Sequence, residues 1–380
     1  MKILMLVSSM HAGGAERVAA TLVNAWAERG DDVTLTPTYS SKGTCFYPVS
    51  ETVRLAWLAD LAGTRASGAR GALRRLAALR RHIRDTRPDV VVSFLTNVNV
   101  AAILATRGLG VPVIVCERTN PVAETTTGST WRRLRRLLYP YADMVTVQAE
   151  DTAGPFARQV PGIKRLAVIP NPLPAPLLDA PRVALRDEGP RALLAMGRLV
   201  PDKQFDLLID VFARLAPDFP EWSLRIWGEG PERPSLQAQV ARQGMQDRIS
   251  LPGRTEAPWD ELAQGQAFVL SSLVEGFPNV LLEAMALGLP CAAFDCPSGP
   301  REMTRDGQDA LLVPAGNRDA LGAALRRLLG EPALRRQLGE RAAGSVRERY
   351  ALSSVLAHWD LLFEEVGALG PQAVREQVAP

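Results

Sequence analysis

Short apolar runs alternate with amphipathic stretches along nearly all of the 380-residue chain. Runs such as residues 3–7 and 90–94 have the length and the β-branched content of buried strands, whereas residues 15–29 carry apolar side chains at helical spacing. Strands that alternate with helices form parallel sheets with helices on both faces. The sequence therefore predicts an α/β fold built from doubly wound sheets.

A proline-rich segment, VIPNPLPAP at residues 168–176, interrupts this alternation. Four prolines in nine residues exclude a regular helix and favour a stiff, extended connection. A chain of this length also exceeds one ordinary core. We therefore place a domain boundary between residues 171 and 190. We expect two doubly wound domains that face each other across a cleft, because such sheets bind ligands at the carboxyl ends of their strands.

The composition excludes several classes of protein. The four cysteines show neither metal-site spacing nor a dense disulfide pattern, and three histidines argue against a histidine-rich metal site. The first ten residues are typical of a strand rather than a signal peptide, and polar residues interrupt the longest apolar region, 90–105. We expect a cytoplasmic protein with no membrane-spanning helix. No recognised nucleic-acid-binding motif occurs, so nucleic acid is not expected as a partner.

Charge is unevenly distributed along the chain. Residues 1–185 contain 23 Lys and Arg against 14 Asp and Glu, whereas the remainder contains 21 against 27. Basic amphipathic patterns occur at residues 70–85 and 131–141, the second with aromatic residues. Such helices lie on anionic lipid or bind a lipid-linked diphosphate, although a solvated arginine-rich face is equally compatible. An anionic membrane surface is therefore a candidate partner of the first half.

The stretch SSLVEGFPNVLLEAMALGLP, residues 271–290, combines a strand end, the loop EGFPN and a helix that begins near Asn279. Backbone N–H groups and the helix dipole favour an anion at such a junction. A carboxylate accepts hydrogen bonds from two vicinal hydroxyls, so Glu283 is a candidate ribose ligand and Glu275 would face a second sugar. Solvated glutamates on an ordinary strand–loop–helix unit are the alternative. The stretch suggests a nucleotide-sugar site.

Two other loops carry candidate ligand-binding groups. Gly13 and Gly14, in HAGGAE, let the backbone approach a ligand at a helix start, but the spacing differs from the nicotinamide fingerprint GxGxxG. Arg198 and Lys203, in GRLVPDK, suit a diphosphate leaving group, unless they are merely solvated loop cations.

No Asp-x-Asp motif occurs, which argues against a divalent metal clamped on a diphosphate. Arg198, Lys203 and the N–H groups around residues 277–279 would then stabilise the charge of a departing nucleoside diphosphate. We expect neither a metal nor a separate cofactor.

The motifs GGAE, GRLVPDK and Glu275-x7-Glu283, in this order, resemble those of family 4 of the retaining glycosyltransferases, which have the GT-B fold of two Rossmann-like domains. The resemblance covers nearly the whole chain and includes the IPNP linker and the WGEGP turn at residues 227–231. It implies an acceptor-binding domain at 1–175 and a nucleotide-sugar-binding domain at 176–352. Residues 353–380 would form a helix that crosses back to the first domain.

The resemblance also implies roles for individual residues. The catalytic group would comprise Glu275, Arg198 and Lys203. Donor contacts would come from a wider set, namely Gly14, Arg198, Lys203, Gly253, Arg254, Glu275, Gly276, Phe277, Pro278, Asn279 and Glu283. Many relatives carry a histidine near the acceptor where this chain has Glu117 and Arg118. We assign this pair to contact with the acceptor or the donor sugar, and Gly13 to acceptor contact.

The expected activity is transfer of a hexose or N-acetylhexosamine from a UDP-sugar, because CERTNP (116–121) and CPSGPRE (296–302) are similar to members that use such donors to extend bacterial surface or lipid-linked glycans. Transfer would proceed with retention and without a metal. Location on the inner face of the plasma membrane would suit a polyprenyl-diphosphate-linked acceptor. A GT-B sugar-nucleotide epimerase and a catalytically silent sugar-nucleotide binding module are the alternatives.

Overall fold

A computed structural model describes residues 1–40, 43, 45–63, 68–120 and 127–368. The chain divides into two compact units. The first, unit 1, comprises Met1–Pro172 and the C-terminal stretch that begins at Ser353, and the second, unit 2, comprises Leu173–Leu352. Each unit contains one parallel sheet, so the predicted α/β fold class is confirmed.

Unit 1 contains a seven-stranded sheet in the order β3-β2-β1-β4-β5-β6-β7. Its strands are β1 (Lys2–Val7), β2 (Asp32–Pro37), β3 (Arg54–Leu55), β4 (Val90–Phe94), β5 (Val113–Cys116), β6 (Met144–Val147) and β7 (Leu166–Val168). The helices between them are α1 (Gly14–Glu28), α2 (Leu58–Leu61), α3 (Gly68–Thr86), α4 (Thr96–Thr106), α5 (Ser129–Leu138) and α6 (Glu150–Gln159).

The side chains of β1 show how this sheet is buried on both faces. Ile3, Met5 and Val7 pack with α1, whereas Leu4 and Leu6 pack on the opposite face with α3, α4 and α6. Successive side chains of a strand point to opposite faces, so a strand covered on both sides must be apolar throughout. This is why the strands appear in the sequence as continuous apolar runs.

Unit 2 contains a six-stranded sheet in the order β10-β9-β8-β11-β12-β13. Its strands are β8 (Arg191–Met196), β9 (Trp222–Trp227), β10 (Ile249–Gly253), β11 (Ala267–Leu270), β12 (Cys291–Asp295) and β13 (Leu311–Pro314). Its helices are α7 (Phe205–Leu215), α8 (Arg233–Arg242), α9 (Pro258–Ala263), α10 (Asn279–Ala286), α11 (Pro300–Met303), α12 (Arg318–Gly330) and α13 (Pro332–Arg349). The strand order reverses between β8 and β11, which makes their carboxyl ends the expected ligand-binding edge.

The last helix, α14 (Leu352–Glu365), packs in unit 1. The ring of Trp359 meets that of Trp26 edge-on, with centroids 5.5 Å apart, and both side chains are fully buried. Arg29 forms an ion pair with Asp360 at 2.7 Å. The predicted C-terminal segment continues to residue 380, and its last twelve residues lie outside the described ranges.

Two local features differ from the sequence interpretation. A strand is expected over 53–58, but only Arg54–Leu55 pairs, with Thr34 and Leu35 of β2, and α2 already begins at Leu58. The expected strand is therefore present but shorter than predicted, and the buried Val53 and Trp57 lie outside its paired residues. The strand β7 was not expected, since three partly exposed residues give little periodicity.

Within the described ranges, no helix combines the length and apolar character needed to cross a bilayer.

Candidate functional site

The two sequence motifs of unit 2 lie together where its strand order reverses. GRLVPDK follows β8, and the loop with EGFPN follows the adjacent strand β11. The Ser271 hydroxyl donates a hydrogen bond to the Lys203 carbonyl at 2.7 Å, and the Leu273 N–H donates to the Asp202 carbonyl at 2.8 Å. These two hydrogen bonds to backbone carbonyls join residues that lie about 70 positions apart in the sequence, at one edge of the sheet.

An ion pair joins the side chains of these loops. Lys203 Nζ donates to Glu275 Oε1 at 2.5 Å, and the two side chains are 20% and 11% exposed. Partial burial strengthens such a pair because less water screens it. The sequence assigns the lysine to a diphosphate and the glutamate to a sugar, whereas the structure places the two groups in direct contact. A phosphate that binds Lys203 therefore competes with Glu275.

Arg198 differs from Lys203 in its surroundings. Its side chain is exposed, and it follows β8 by two residues. A guanidinium in this position presents its planar set of donors to solvent, in the arrangement that matches a phosphate.

Close backbone packing fixes the loop after β8. Gly228, with φ +141°, lies so near this loop that a Cβ there would be 1.8 Å from the Gly197 carbonyl oxygen. A Cβ on Gly230 would be 2.3 Å from the Leu199 carbonyl oxygen. The Leu199 N–H donates to the Glu229 carbonyl at 2.9 Å. The two glycines of WGEGP are therefore required because the turn supports the loop that carries Arg198 and Lys203.

The EGFPN loop is held on its other side by two separate contacts. The Ser298 hydroxyl donates to the Gly276 carbonyl at 2.5 Å, and the Phe277 ring meets Tyr350 edge-on at 5.6 Å. Pro278 immediately precedes α10, which begins at Asn279 as the sequence predicts. The loop thus has a defined conformation at the start of α10.

Glu283 lies one turn into α10 and is 1% exposed. Its predicted contact with a ribose requires the carboxylate to become accessible, so that role stays a prediction.

Two of the predicted donor-contact residues, Gly253 and Arg254, lie beside the WGEGP turn. Gly253 ends β10, and its carbonyl accepts a hydrogen bond from the Gly228 N–H at 2.7 Å. Arg254 follows and is exposed. The loops after β8, β9, β10 and β11 therefore lie along one continuous carboxyl edge of the sheet of unit 2.

In unit 1, the double glycine lies at the start of a helix, because α1 begins at Gly14. The Ser9 hydroxyl donates to Glu16 Oε1 at 3.3 Å, and a Cβ on Gly13 would be 2.2 Å from Glu16 Oε2. The Glu16 carboxylate thus occupies the space at the helix N-terminus, where a negative charge is favoured. An incoming anion would compete with this side chain.

Glu117 is buried in a hydrogen-bond network of unit 1, with 1% of its surface exposed. Its carboxylate accepts hydrogen bonds from the Thr96 hydroxyl, at 3.0 Å, and from the Tyr139 hydroxyl. Burial and then the Glu117 charge raise the pKa of Tyr139 well above its ordinary value. Sequence reasoning missed Thr96 and Tyr139, although the polar Thr96 within an apolar region gave a signal.

Arg118 contacts other residues than its neighbour Glu117 does. Its guanidinium lies over the Phe94 ring, 4.1 Å from the centroid, and donates to Asn171 Oδ1. The acceptor or donor-sugar contact predicted for Glu117 and Arg118 stays a prediction. In the structure the two side chains have different hydrogen-bond partners. The motif CERTNP ends at Pro121, which lies outside the described residues.

Among the described residues, no group of three or more His, Cys, Asp or Glu side chains is arranged to hold a metal ion.

Comparison with known families and proteins gives consistent matches. Residues 179–344 match the family model of glycosyl transferases group 1, and residues 13–172 match that of the glycosyl transferase 4-like domain. An exopolysaccharide phosphotransferase of Streptomyces coelicolor is 40% identical over 204 residues, which are 53% of this chain and 21% of that protein.

Two further proteins match nearly the full length. A Campylobacter jejuni N-acetylgalactosaminyltransferase, named for a diNAcBac-PP-undecaprenol-linked acceptor, is 27% identical over 96% of this chain and 99% of its own. The Anabaena protein HepE, solved in complex with UDP and glucose, superposes with a TM-score of 0.80 at 18% identity, over 96% of this chain and 99% of that one. The likeness to HepE shows the fold, which is GT-B.

Replacing Gly228 by Ala should destabilise the protein, because the new Cβ would collide with the backbone of Gly197 and strain a positive φ. We expect a loss of at least about 2 kcal/mol of unfolding free energy, measured by urea denaturation. Gly322→Ala in α12 is the control, since its Cβ would come no nearer than 3.8 Å to another residue. Equal stability of the two variants would contradict the role of Gly228.

Proposed function

Because this chain belongs to the family 4 glycosyltransferases, we propose that it transfers a hexose or N-acetylhexosamine from a UDP-sugar to a lipid-linked or surface-polysaccharide acceptor. The transfer proceeds with retention and needs no metal ion.

The observation that carries this proposal is the junction of the two loops of unit 2. It combines an exposed arginine, Arg198, with the Lys203–Glu275 pair and the start of α10. Two cations and a helix N-terminus provide positive potential for a diphosphate, while a carboxylate at 2.5 Å from the lysine provides an acceptor for sugar hydroxyls. A nucleoside-diphosphate sugar presents both chemistries within one molecule.

The substrate classes are supported by the relatives. The Campylobacter enzyme is named for an undecaprenyl-diphosphate-linked glycan acceptor, and HepE was solved with UDP and glucose. We extend both classes to this chain as part of the proposal, without choosing the donor sugar or the linkage.

In the proposed mechanism, Lys203 exchanges its Glu275 partner for the diphosphate when the donor binds. Arg198 contacts the same diphosphate, and the two cations stabilise the charge that develops as the bond from the sugar to the diphosphate breaks. Glu275, released from the lysine, accepts hydrogen bonds from the sugar and fixes its position. The leaving diphosphate takes the proton of the acceptor hydroxyl, which attacks the face that the leaving group has vacated.

The test is an assay of nucleotide release with a panel of UDP-sugars and polyprenyl-diphosphate-linked glycans. We expect UDP release that depends on the acceptor and persists in excess EDTA, with mass spectrometry showing an acceptor longer by one sugar. Release of a free epimerised sugar nucleotide would favour an epimerase. Tight UDP binding without turnover would favour a catalytically silent binding module.

Replacing Lys203 by Ala should lower turnover at least about tenfold, which corresponds to about 1.4 kcal/mol of transition-state stabilisation. The reason is that the lysine loses its contact with the leaving diphosphate. Lys164→Ala is the matched control, because Lys164 is an exposed lysine of unit 1. A K203A enzyme with the rate constants of the wild type would remove this lysine from the site.

The location of the enzyme is proposed from an exposed surface of unit 1, which we call the arginine face. It consists of five exposed residues of α5, namely Trp131, Arg132, Arg133, Arg136 and Leu137. Leu137 is 66% exposed although it is apolar. Aromatic and aliphatic side chains between arginines suit the headgroup region of an anionic bilayer. We propose peripheral binding to the inner face of the plasma membrane, where a lipid-linked acceptor is presented.

Liposome flotation tests this surface. The protein should float with vesicles that contain anionic lipid, and less so as salt rises, because the attraction is electrostatic. Replacing Arg132, Arg133 and Arg136 by Gln should reduce flotation at least about fivefold. The matched control replaces three exposed arginines of unit 2 that form ion pairs, namely Arg326, Arg327 and Arg336. Salt-independent flotation, or equal loss in both triple variants, would contradict the proposal.

A further inference from the structure

Arg118 is a buried cation with few compensating contacts. Its side chain is 8% exposed, and its Nε has no hydrogen-bond acceptor among the described residues. Within the described ranges, no carboxylate forms an ion pair with it. Burial lowers the pKa of this guanidinium to about 10. The residues that the structure describes therefore compensate this charge poorly.

The contacts that Arg118 does make orient it rather than neutralise it. The Phe94 ring supports one face of the guanidinium at 4.1 Å, and Asn171 Oδ1 accepts a hydrogen bond from Nη2. The same Asn171 oxygen also accepts from Gln148 Nε2 at 2.8 Å. The attraction of an aromatic face is small compared with the cost of removing a cation from water.

Arg335 shows how the chain treats a buried structural arginine. This side chain of α13 is 1% exposed, and it donates to three backbone carbonyls, those of Leu328, Leu329 and Arg186. Carbonyl oxygens that surround a guanidinium replace much of its hydration. The Nε of each arginine lacks an acceptor among the described residues, but Arg118 has one oxygen acceptor there against three for Arg335. Packing among those residues therefore accounts for less of the burial of Arg118.

The position of Arg118 in the fold is one where ligands bind. It lies two residues beyond β5, Gln148 directly follows β6, and Asn171 lies three residues beyond β7. Phe94 is the last residue of β4. All four residues therefore lie at the carboxyl edge of the sheet of unit 1, on four adjacent strands.

We propose that Arg118 binds a phosphoryl oxyanion of a substrate, with Phe94 and Asn171 fixing the plane of its guanidinium. An arginine in a fixed plane can bind two oxygens of one phosphate at once, which matches both charge and geometry. The inference rests on the proposed function, which supplies two sources of this chemistry. They are the diphosphate of a lipid-linked acceptor and the diphosphate of the sugar nucleotide.

A binding experiment without turnover tests the site directly. Thermal unfolding is followed while inorganic pyrophosphate is titrated as the probe. The titration is run with UDP at saturation, so that the nucleotide site is filled, and again without UDP, so that the position of the donor diphosphate is also open. We expect pyrophosphate to raise the unfolding midpoint of the wild type, and this rise to be lost in Arg118→Gln and partly kept in Arg118→Lys. Equal rises in the wild type and in R118Q, both with and without UDP, would overturn the proposal.

The unfolding midpoint of the ligand-free protein provides an independent test of the proposal. R118Q should have an unfolding midpoint equal to or above that of the wild type, because it removes a poorly compensated charge and leaves the bond from Gln148 to Asn171 intact. Arg335→Gln is the control and should lower the midpoint, because three carbonyls lose their donor. A comparable fall in both variants would make Arg118 a structural arginine and overturn the proposal.

Kinetics then distinguish the two sources of the oxyanion. R118Q is compared with the wild type on a polyprenyl-diphosphate-linked acceptor and on the same glycan carried by a neutral linker. If Arg118 binds the acceptor diphosphate, R118Q should raise KM at least tenfold for the first acceptor and not for the second. A tenfold rise in the KM of the UDP-sugar with either acceptor would assign it to the donor. Unchanged KM values for all three substrates would overturn the proposal. Loss of the pyrophosphate effect in R118Q, in a protein that turns over no UDP-sugar, would contradict the proposed function alone.

Discussion

The ion pair between Lys203 and Glu275 depends on an arrangement of backbone that the rest of unit 2 maintains. The two side chains meet because the loops after β8 and β11 are joined by hydrogen bonds at Ser271 and Leu273. The first of these loops is supported in turn by Gly228, whose backbone touches that of Gly197. The positions of the two charged side chains therefore depend on hydrogen bonds and backbone packing between uncharged groups.

This pairing also explains how a partly buried lysine is accommodated before a ligand arrives. An unpaired ammonium in that position would bear the cost of lost hydration, and the Glu275 carboxylate offsets it. In the proposed mechanism, a diphosphate that displaces the carboxylate would supply an equivalent partner and keep the lysine compensated in both states. The free energy of donor binding would then depend on the difference between the lysine–diphosphate and lysine–glutamate interactions, rather than on the full lysine–diphosphate attraction.

Local patterns predicted the features that depend on a few consecutive residues. The start of α10 at Asn279 follows from Pro278, which suits a helix start, and the apolar run 90–94 became β4 because both of its faces are covered. The strand expected at 53–58 is shorter than predicted, since only Arg54 and Leu55 pair with β2. Burial of Val53 and Trp57 is decided by what packs on them, and the sequence pattern does not show whether the chain turns between them.

The contacts of the candidate site residues could not be predicted from local sequence patterns. Adjacent positions in GGAE and CERTNP gave no sign that the Glu16 carboxylate lies against Gly13, or that Glu117 and Arg118 have different partners. Those partners, Tyr139 and Asn171, are 22 and 53 positions away along the chain. Only the order of the strands brings them together.

The two cations of greatest interest are accommodated in opposite ways, and this difference has a functional meaning. Lys203 has an internal carboxylate that the proposed diphosphate would displace, whereas Arg118 has an aromatic face and one amide oxygen, with no anion to displace among the described residues. An oxyanion gains more from a cation that nothing else neutralises, because binding need not first break an ion pair. A protein that keeps such a charge buried trades stability of the free form for affinity, which is the pattern expected of a binding residue and not of a structural one.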